Sequence, residues 1–447
     1  MSKLHSHIRP NRHKVSRRRF LQGSAATLGG LALGSPLLGR AQTTSIDFWS
    51  QPYGDAIAWK RLLDGLAAEF AETSGVEALV EILNWDNAAK TWLLVDQGGA
   101  HPDVGDMFWL HSHAAIGAGQ HGPMPITEYK DELFPDLEER FFAGALNDVF
   151  WQDEFYGIPW RGDIRPQMVR TDILAEAGFD RAPDNWDEIL EYAQALTVRD
   201  GAGNVTRWGF AFGSVTPIQQ FFPYYWQAGG EFMSEDGLSA TIDNEAMRTT
   251  LTWLRDMVWK HEVVSPDLME PSYSPGDDFV SGTLAMIGGM PDNGVKDFET
   301  EFPELDGKWA AEIPFEGPAE RYAFSGAGYW GLLYGTENVE ASLQWLQFLS
   351  RDTTMQTITE FTSGVSPNKS VMASAFWQDR PWKQKIAESL DYAHTSQHPS
   401  PAWSTISAND PGGILYDLFF ETIVLQNDME EAIKTAQTRM QAELDKV

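Results

Sequence analysis

Ser45-Ile46-Asp47-Phe48-Trp49 switches between polar and apolar positions as a half-buried strand does. The period then lengthens. Leu62, Leu63, Leu66, Ala67 and Phe70 share one face of a helix predicted over residues 56–74, which Gly75 closes. From Val76 the two-residue alternation returns: Val76, Ala78, Val80 and Ile82 oppose Glu77, Leu79, Glu81 and Leu83, a strand ending near Asn84-Trp85. Asp86 is the expected N-cap of a second helix, stopped at Gly98-Gly99. Pro102-Asp103-Val104 leads into a third short strand through Phe108. Strands separated by helices at this spacing predict an α/β fold with a parallel sheet covered on its faces. Ligands of such sheets gather beyond the carboxyl ends of the strands, which nominates Trp49, Gln51, Trp85, Asp106 and Trp109.

A second unit begins after Tyr156-Gly157-Ile158-Pro159. Its clearest helix starts at Asn185, which with Glu188 forms a capping-box-like pair ahead of Ile189, Tyr192, Ala193 and Leu196. Further helices are predicted over residues 244–260, 341–349 and 429–444. The chain shows no internal repeat and no low-complexity linker.

Residues 1–41 differ in kind from the rest. They hold eight of the 33 basic residues and no acid, and the basic head runs into Ser16-Arg17-Arg18-Arg19-Phe20-Leu21-Gln22 before an uncharged Gly- and Ala-rich stretch. This is the make-up of a secretory signal, and the paired arginines resemble the twin-arginine export address. Cleavage is expected after Ala41, and the apolar stretch is too short to span a bilayer. Residues 42–447 carry 25 basic residues against 64 acidic ones. So negative a surface repels nucleic acid and anionic lipid. With no cysteine in the chain, neither disulfides nor a lipidated N-terminal cysteine is expected, and the periplasm is the compartment that fits. The 18 tryptophans exceed what one core hides easily, because each indole N–H needs a partner; several are expected in an aromatic-lined pocket.

Several ordered stretches are similar to the family 1 extracellular solute-binding proteins of ABC importers, the maltodextrin- and glycerophosphodiester-binding relatives. They are Ile46-Asp47-Phe48-Trp49, His101-Pro102-Asp103-Val104, Tyr156-Gly157-Ile158-Pro159-Trp160, Ala177-Gly178-Phe179, Asn185-Trp186-Asp187-Glu188-Ile189, Ala228-Gly229-Gly230, Ser363-Gly364-Val365-Ser366-Pro367 and Ala432-Ile433-Lys434-Thr435-Ala436-Gln437. Asn185 replaces the usual Thr as an equivalent cap. Met168-Val169-Arg170-Thr171-Asp172 departs from the family's pattern near the hinge and leaves ligand identity open. The resemblance implies a periplasmic-binding-protein-like fold of type II, two α/β lobes around a cleft. Lobe one would hold residues 43–162 and 287–326, and lobe two 163–286 and 327–447. Crossings would lie near Trp160–Arg165, Met286–Gly289 and Ser325–Trp330. It also implies a monomer that binds a small carbohydrate and meets permease subunits.

Sugars present C–H faces that stack on aromatic rings and hydroxyls that pair with planar polar side chains. Trp160, Arg161, Asp163 and Arg165 supply both kinds of partner at the first crossing; Asp163 and Arg165 would either share a hydroxyl network or bond to each other. From the resemblance come Tyr225 and Trp226, Tyr329 and Trp330 at the third crossing, Asp292 with Asn293, and Trp403. Trp186, Trp253, Trp345 and Trp382 lie in helical patterns and read as packing. No nucleophile elbow and no phosphate-binding loop is present, and no cofactor is expected. His111, His113 and His121 resemble a metal cluster only superficially, since the first two fall on different sides of a helix. Two competing readings stay open: a secreted carbohydrate-active enzyme, because carboxylates are plentiful, and the same fold holding a glycerophosphodiester through Arg161 and Arg165.

Overall fold

The computed structural model describes residues 44–446 except 109, 214–217, 271, 292–293, 296–297, 299–300, 397 and 399. The export signal, Trp109, Asp292 and Asn293 therefore lie outside the described residues. Among those described, no helix is long and apolar enough to cross a membrane.

Strand β1 (Thr44–Ser50) buries Ile46, Phe48 and Ser50 on one side. The helix Ala56–Ser74 comes next, capped by the Asp55 carboxylate and ended by Gly75 at φ 75°, a left-handed turn that glycine adopts without strain. It buries Trp59, Leu63, Leu66, Ala67 and Phe70; Trp59 takes the place in the core that the sequence pattern assigns to Leu62. Strand β2 (Val76–Ile82) runs parallel to β1 along its whole length, and β3 (Val104–Phe108) pairs parallel with β1 on the other side. The helix between them spans Trp85–Asp96, so Trp85 is its first residue rather than the end of the strand before it. After β4 (Gly157–Arg161) the chain leaves for a second body. There β5 (Gln167–Val169) pairs antiparallel with β6 (Met286–Ile287) and with β7 (Ala310–Glu312). Strand β8 (Gly328–Leu332) then returns to the first sheet, antiparallel to both β3 and β4, which gives the order β2-β1-β3-β8-β4.

These pairings correct the expected division of the chain. Residues 287–326 pack with the second lobe, since β6 and β7 flank β5, and β8 belongs to lobe one. Met286–Gly289 is no crossing. The third passage lies instead after the helix Asp352–Thr362, where the Gly162 amide donates to Val365 and Phe142 to Pro367. A local pattern identifies a strand but not the sheet it joins, and β8 is buried at every position, so it carries no alternation to orient it.

The cores follow the same division. One apolar cluster gathers Ile46 to Trp160 and resumes from Tyr329 to Val371. The second lobe has two, on opposite faces of its sheet. Val169 and Met286 join the larger, Met168 and Ile287 the smaller, because successive strand residues point to opposite sides. Asn185 caps Trp186–Leu196 by accepting from the Glu188 amide at 3.0 Å, but Glu188 reaches back to the Asp184 amide rather than to the cap residue.

Candidate functional site

The carboxyl ends of β1 and β3 carry a closed hydrogen-bond network. Ser50 Oγ lies 2.6 Å from Asp106 Oδ2, Trp160 Nε1 donates to Asp106 Oδ1 at 2.9 Å, and Trp59 Nε1 donates to Ser50 Oγ at 3.1 Å. With its amide oriented to match donor to acceptor, Gln51 donates to the Asp106 carbonyl at 3.0 Å and accepts from Trp92 Nε1 at 2.6 Å. Gln51 and Asp106 are fully buried and serve this network, not an open surface. Burial pushes the Asp106 carboxyl up to about 7, with the Ser50 and Trp160 donors and the Arg161 charge opposing the shift.

A raised carboxyl pKa makes stability fall as pH rises. The folded chain holds a proton that the unfolded chain releases near pH 4, so stability is full below that value and declines through about pH 7, by up to about 4 kcal/mol. Asp106→Asn, which imitates the neutral acid, is expected to remove this slope. Melting temperatures at pH 5 and pH 8 check it: the variant should gain on the wild type at pH 8. Equal pH profiles for the two proteins would show that Asp106 is ionised throughout.

Trp160 stands among aromatic neighbours. Trp330 is parallel to it at 5.1 Å, Trp59 lies at 6.1 Å, and Tyr53 meets it edge-on at 4.8 Å. With 3% of its surface exposed, its ring meets protein rather than an open cleft. Trp330 and Tyr329 are likewise interior to β8. Trp85 differs. Its indole N–H donates to the Pro52 carbonyl at 2.6 Å, Phe108 stacks on it at 5.6 Å, Tyr53 abuts it edge-on, and 46% of its surface remains exposed. That makes a fixed aromatic platform at the rim. Trp49 is half-buried against Trp92.

The first crossing carries charge. Asp163 adopts φ 43°, a left-handed conformation unusual for a non-glycine residue. Its carboxylate lies 3.5 Å from Arg161 and 3.4 Å from Arg165, so the Asp163–Arg165 contact that the sequence left open is formed. Gly326 makes the arrangement possible: a Cβ there would come within 2.8 Å of Asp163 Oδ2. The Arg161 guanidinium lies over Tyr53 at 4.9 Å, and Arg165 lies over Phe324 at 3.7 Å while donating to Gln219 at 2.9 Å. Beside Arg165 a small, narrow recess is lined by Gln219, Gln220, Gly213, Gly288 and Tyr322 among others.

Three residues nominated in the second lobe are core residues here. Tyr225 donates to the Glu231 carbonyl, and Trp226 is covered by His394 at 4.2 Å and by Phe324. Trp403 packs on His398 at 4.0 Å and on Phe232. Their residue types gave no sign of this, because aromatic supply alone does not tell core from wall. The seam between lobes falls to residues that stand out neither by type nor by spacing: Ser112 Oγ lies 3.2 Å and 3.3 Å from the His398 and Ser400 carbonyls, and Thr395 Oγ1 donates to Asp148 at 3.3 Å. The polar run from His394 to Ser400 was the available signal. His111 engages the Phe150 carbonyl and His113 pairs with Asp96. Among the described residues no group of three or more His, Cys, Asp or Glu side chains could hold a metal ion.

Residues 53–356 match the family model described as bacterial extracellular solute-binding protein. The fold is similar to an ABC transporter solute-binding protein of Thermotoga lettingae bound with alpha-D-tagatose, at a TM-score of 0.74 and 18% identity over 90% of this chain and 100% of that one. It is similar also to the sugar-binding protein MalE of Xanthomonas citri, with a TM-score of 0.76 and 15% identity over 90% and 98% of the two chains. A sugar transporter of Arthrobacter chlorophenolicus with bound laminaribiose gives 0.72 and 19% over 89% and 99%.

Proposed function

Because the chain belongs to the bacterial extracellular solute-binding proteins, we propose that it captures a neutral sugar or short oligosaccharide between its lobes and delivers it, chemically unchanged, to the permease of an ABC importer. The observation that carries this reading is the exposed Trp85 platform, joined to the charged Arg161–Asp163–Arg165 crossing through Tyr53, which meets Trp85 edge-on and lies under Arg161. A sugar C–H face stacks on the former, and its hydroxyls pair with the latter. Sugars are bound in similar folds of low identity, the tagatose and laminaribiose complexes among them. The basic, acid-free leader supports export by the twin-arginine route with cleavage after Ala41, and the acidic remainder supports a monomer working in the periplasm.

A ligand that binds only the folded state raises the melting temperature by mass action, about 2.7 kcal/mol of added stability at a hundredfold excess over Kd. A thermal-shift panel of maltose, tagatose, laminaribiose, amino acids and glycerophosphodiesters is expected to show a rise with at least one saccharide. A shift confined to the glycerophosphodiesters would transfer the role of Arg161 and Arg165 to a phosphate. Release of reducing ends from an oligosaccharide would establish catalysis instead.

A further inference from the structure

One buried ring of the first lobe gathers its tryptophans and its crossing charge. Tyr53 stands on the short turn between β1 and the helix Ala56–Ser74, where Gly54 reverses the chain at φ 93°. Its ring meets Trp160 edge-on at 4.8 Å, Trp59 at 5.4 Å and Trp85 at 5.6 Å. The Arg161 guanidinium lies over the same ring at 4.9 Å, and only 3% of Tyr53 is exposed.

These neighbours differ in kind. Trp59 and Trp160 form a floor, and both are pinned, because their indole N–H groups donate to Ser50 and Asp106 of the buried network. Trp85 and Arg161 form the working side: Trp85 is the exposed platform, and Arg161 pairs with Asp163 where the chain leaves for the second lobe. The turn holds the platform twice, by the Tyr53 ring and by the Pro52 carbonyl, which accepts from Trp85 Nε1. An aromatic ring is negative on its face and positive at its edge, so an edge-on pair sets the tilt of a neighbouring ring and a face holds a cation above it. Burial holds the Tyr53 hydroxyl well above its usual range, so Arg161 meets the face of a neutral phenol. Groups fixed in this way lose little freedom when a ligand arrives, and that strengthens binding.

Resting on the saccharide reading above, we propose that Tyr53 is a positioning residue of the sugar site, which fixes the plane of Trp85 and the guanidinium of Arg161 so that a sugar's C–H face and its hydroxyls are met together. Platform and crossing then act as one unit. The loss of Tyr53 is felt at both.

The test is calorimetric titration of the full-length protein with maltose, tagatose and laminaribiose, for wild type, Tyr53→Leu, Tyr53→Phe, Trp85→Ala and the double variant Tyr53→Leu with Trp85→Ala. Melting temperatures report folding; if Tyr53→Leu does not fold, Tyr53→Met fills the place without a ring and answers the same question. For a saccharide that binds, Tyr53→Leu should raise Kd about tenfold, and Tyr53→Phe, which keeps the ring, should recover most of that loss. In the Trp85→Ala background the change to Leu should cost only about threefold, because one of the two groups that Tyr53 positions is gone. Unchanged Kd in the ringless variant, or an equal cost in both backgrounds, would overturn the positioning role and leave sugar capture standing. Failure of the wild type to bind any of the three sugars would overturn both.

Discussion

Trp160→Ala is expected to cost about 4 kcal/mol of folding stability, the range found when a fully packed aromatic ring is removed. It does more than open a cavity. Trp330 and Tyr53 lose a ring partner, and Asp106 loses the indole donor that satisfies one of its two oxygens in a fully buried place. For a chain of this size, with about 2.1 cal/mol/K of unfolding entropy per residue, the melting temperature should fall by roughly 5 °C in calorimetry without ligand. Trp160→Phe, which keeps the ring and loses the N–H, should fall between the variant and the wild type. An alanine variant that melts like the wild type but no longer binds sugar would return Trp160 to the ligand-stacking role its sequence position suggested.

Trp85→Ala should show the opposite pattern. The ring is nearly half exposed, so its loss shifts the ligand-free melting temperature by no more than about a degree. As the aromatic anchor of the proposed site, it should cost about 2 kcal/mol or more of binding, roughly a thirtyfold rise in Kd. Isothermal titration with the saccharide found by thermal shift is the measurement. Unchanged Kd in Trp85→Ala would take the stacking platform out of the site and leave recognition to the polar crossing. Two tryptophans on one lobe are thus expected to separate in these measurements, Trp160 by its effect on folding and Trp85 by its effect on binding.

Much of the first lobe was legible in the sequence because its signals are local. The two-residue alternation of Val76–Ile82 and the 3.6-residue face of Ala56–Ser74 both survive in the fold, as does, in the second lobe, the equally local capping by Asn185. What was illegible depends on long-range pairing. Nothing within Gly-Tyr-Trp-Gly-Leu reveals that β8 inserts between β3 and β4, so the lobe boundary moved. The site divided along the same line. Trp85, nominated by the strand-end rule, and Asp163 and Arg165, nominated by residue chemistry at a crossing, stay in the proposed site. Tyr225, Trp226, Tyr329, Trp330 and Trp403 share that chemistry but are buried by partners distant in sequence. Tyr53 and Gln219, which border the proposed site, were not nominated because neither stands out by type or spacing; only three-dimensional proximity to Trp85 and Arg165 marks them.

The place of β8 also sets an order of events for the growing chain. It is an interior strand of the first sheet, yet a ribosome reaches it only after β5, β6 and β7 of the other lobe have been made. Until then β3 and β4 have no strand between them, and each presents an unpaired edge that another chain could join. Closing the sheet is a contact of long sequence separation, the kind that slows folding and lengthens the life of aggregation-prone intermediates. The second lobe cannot settle first either, because its larger core takes Trp403, Ile414, Phe419 and Ile433 from chain made after β8. Both lobes therefore wait on segments made late in the chain, and the Trp160–Trp330 stack forms only once β8 has entered the sheet.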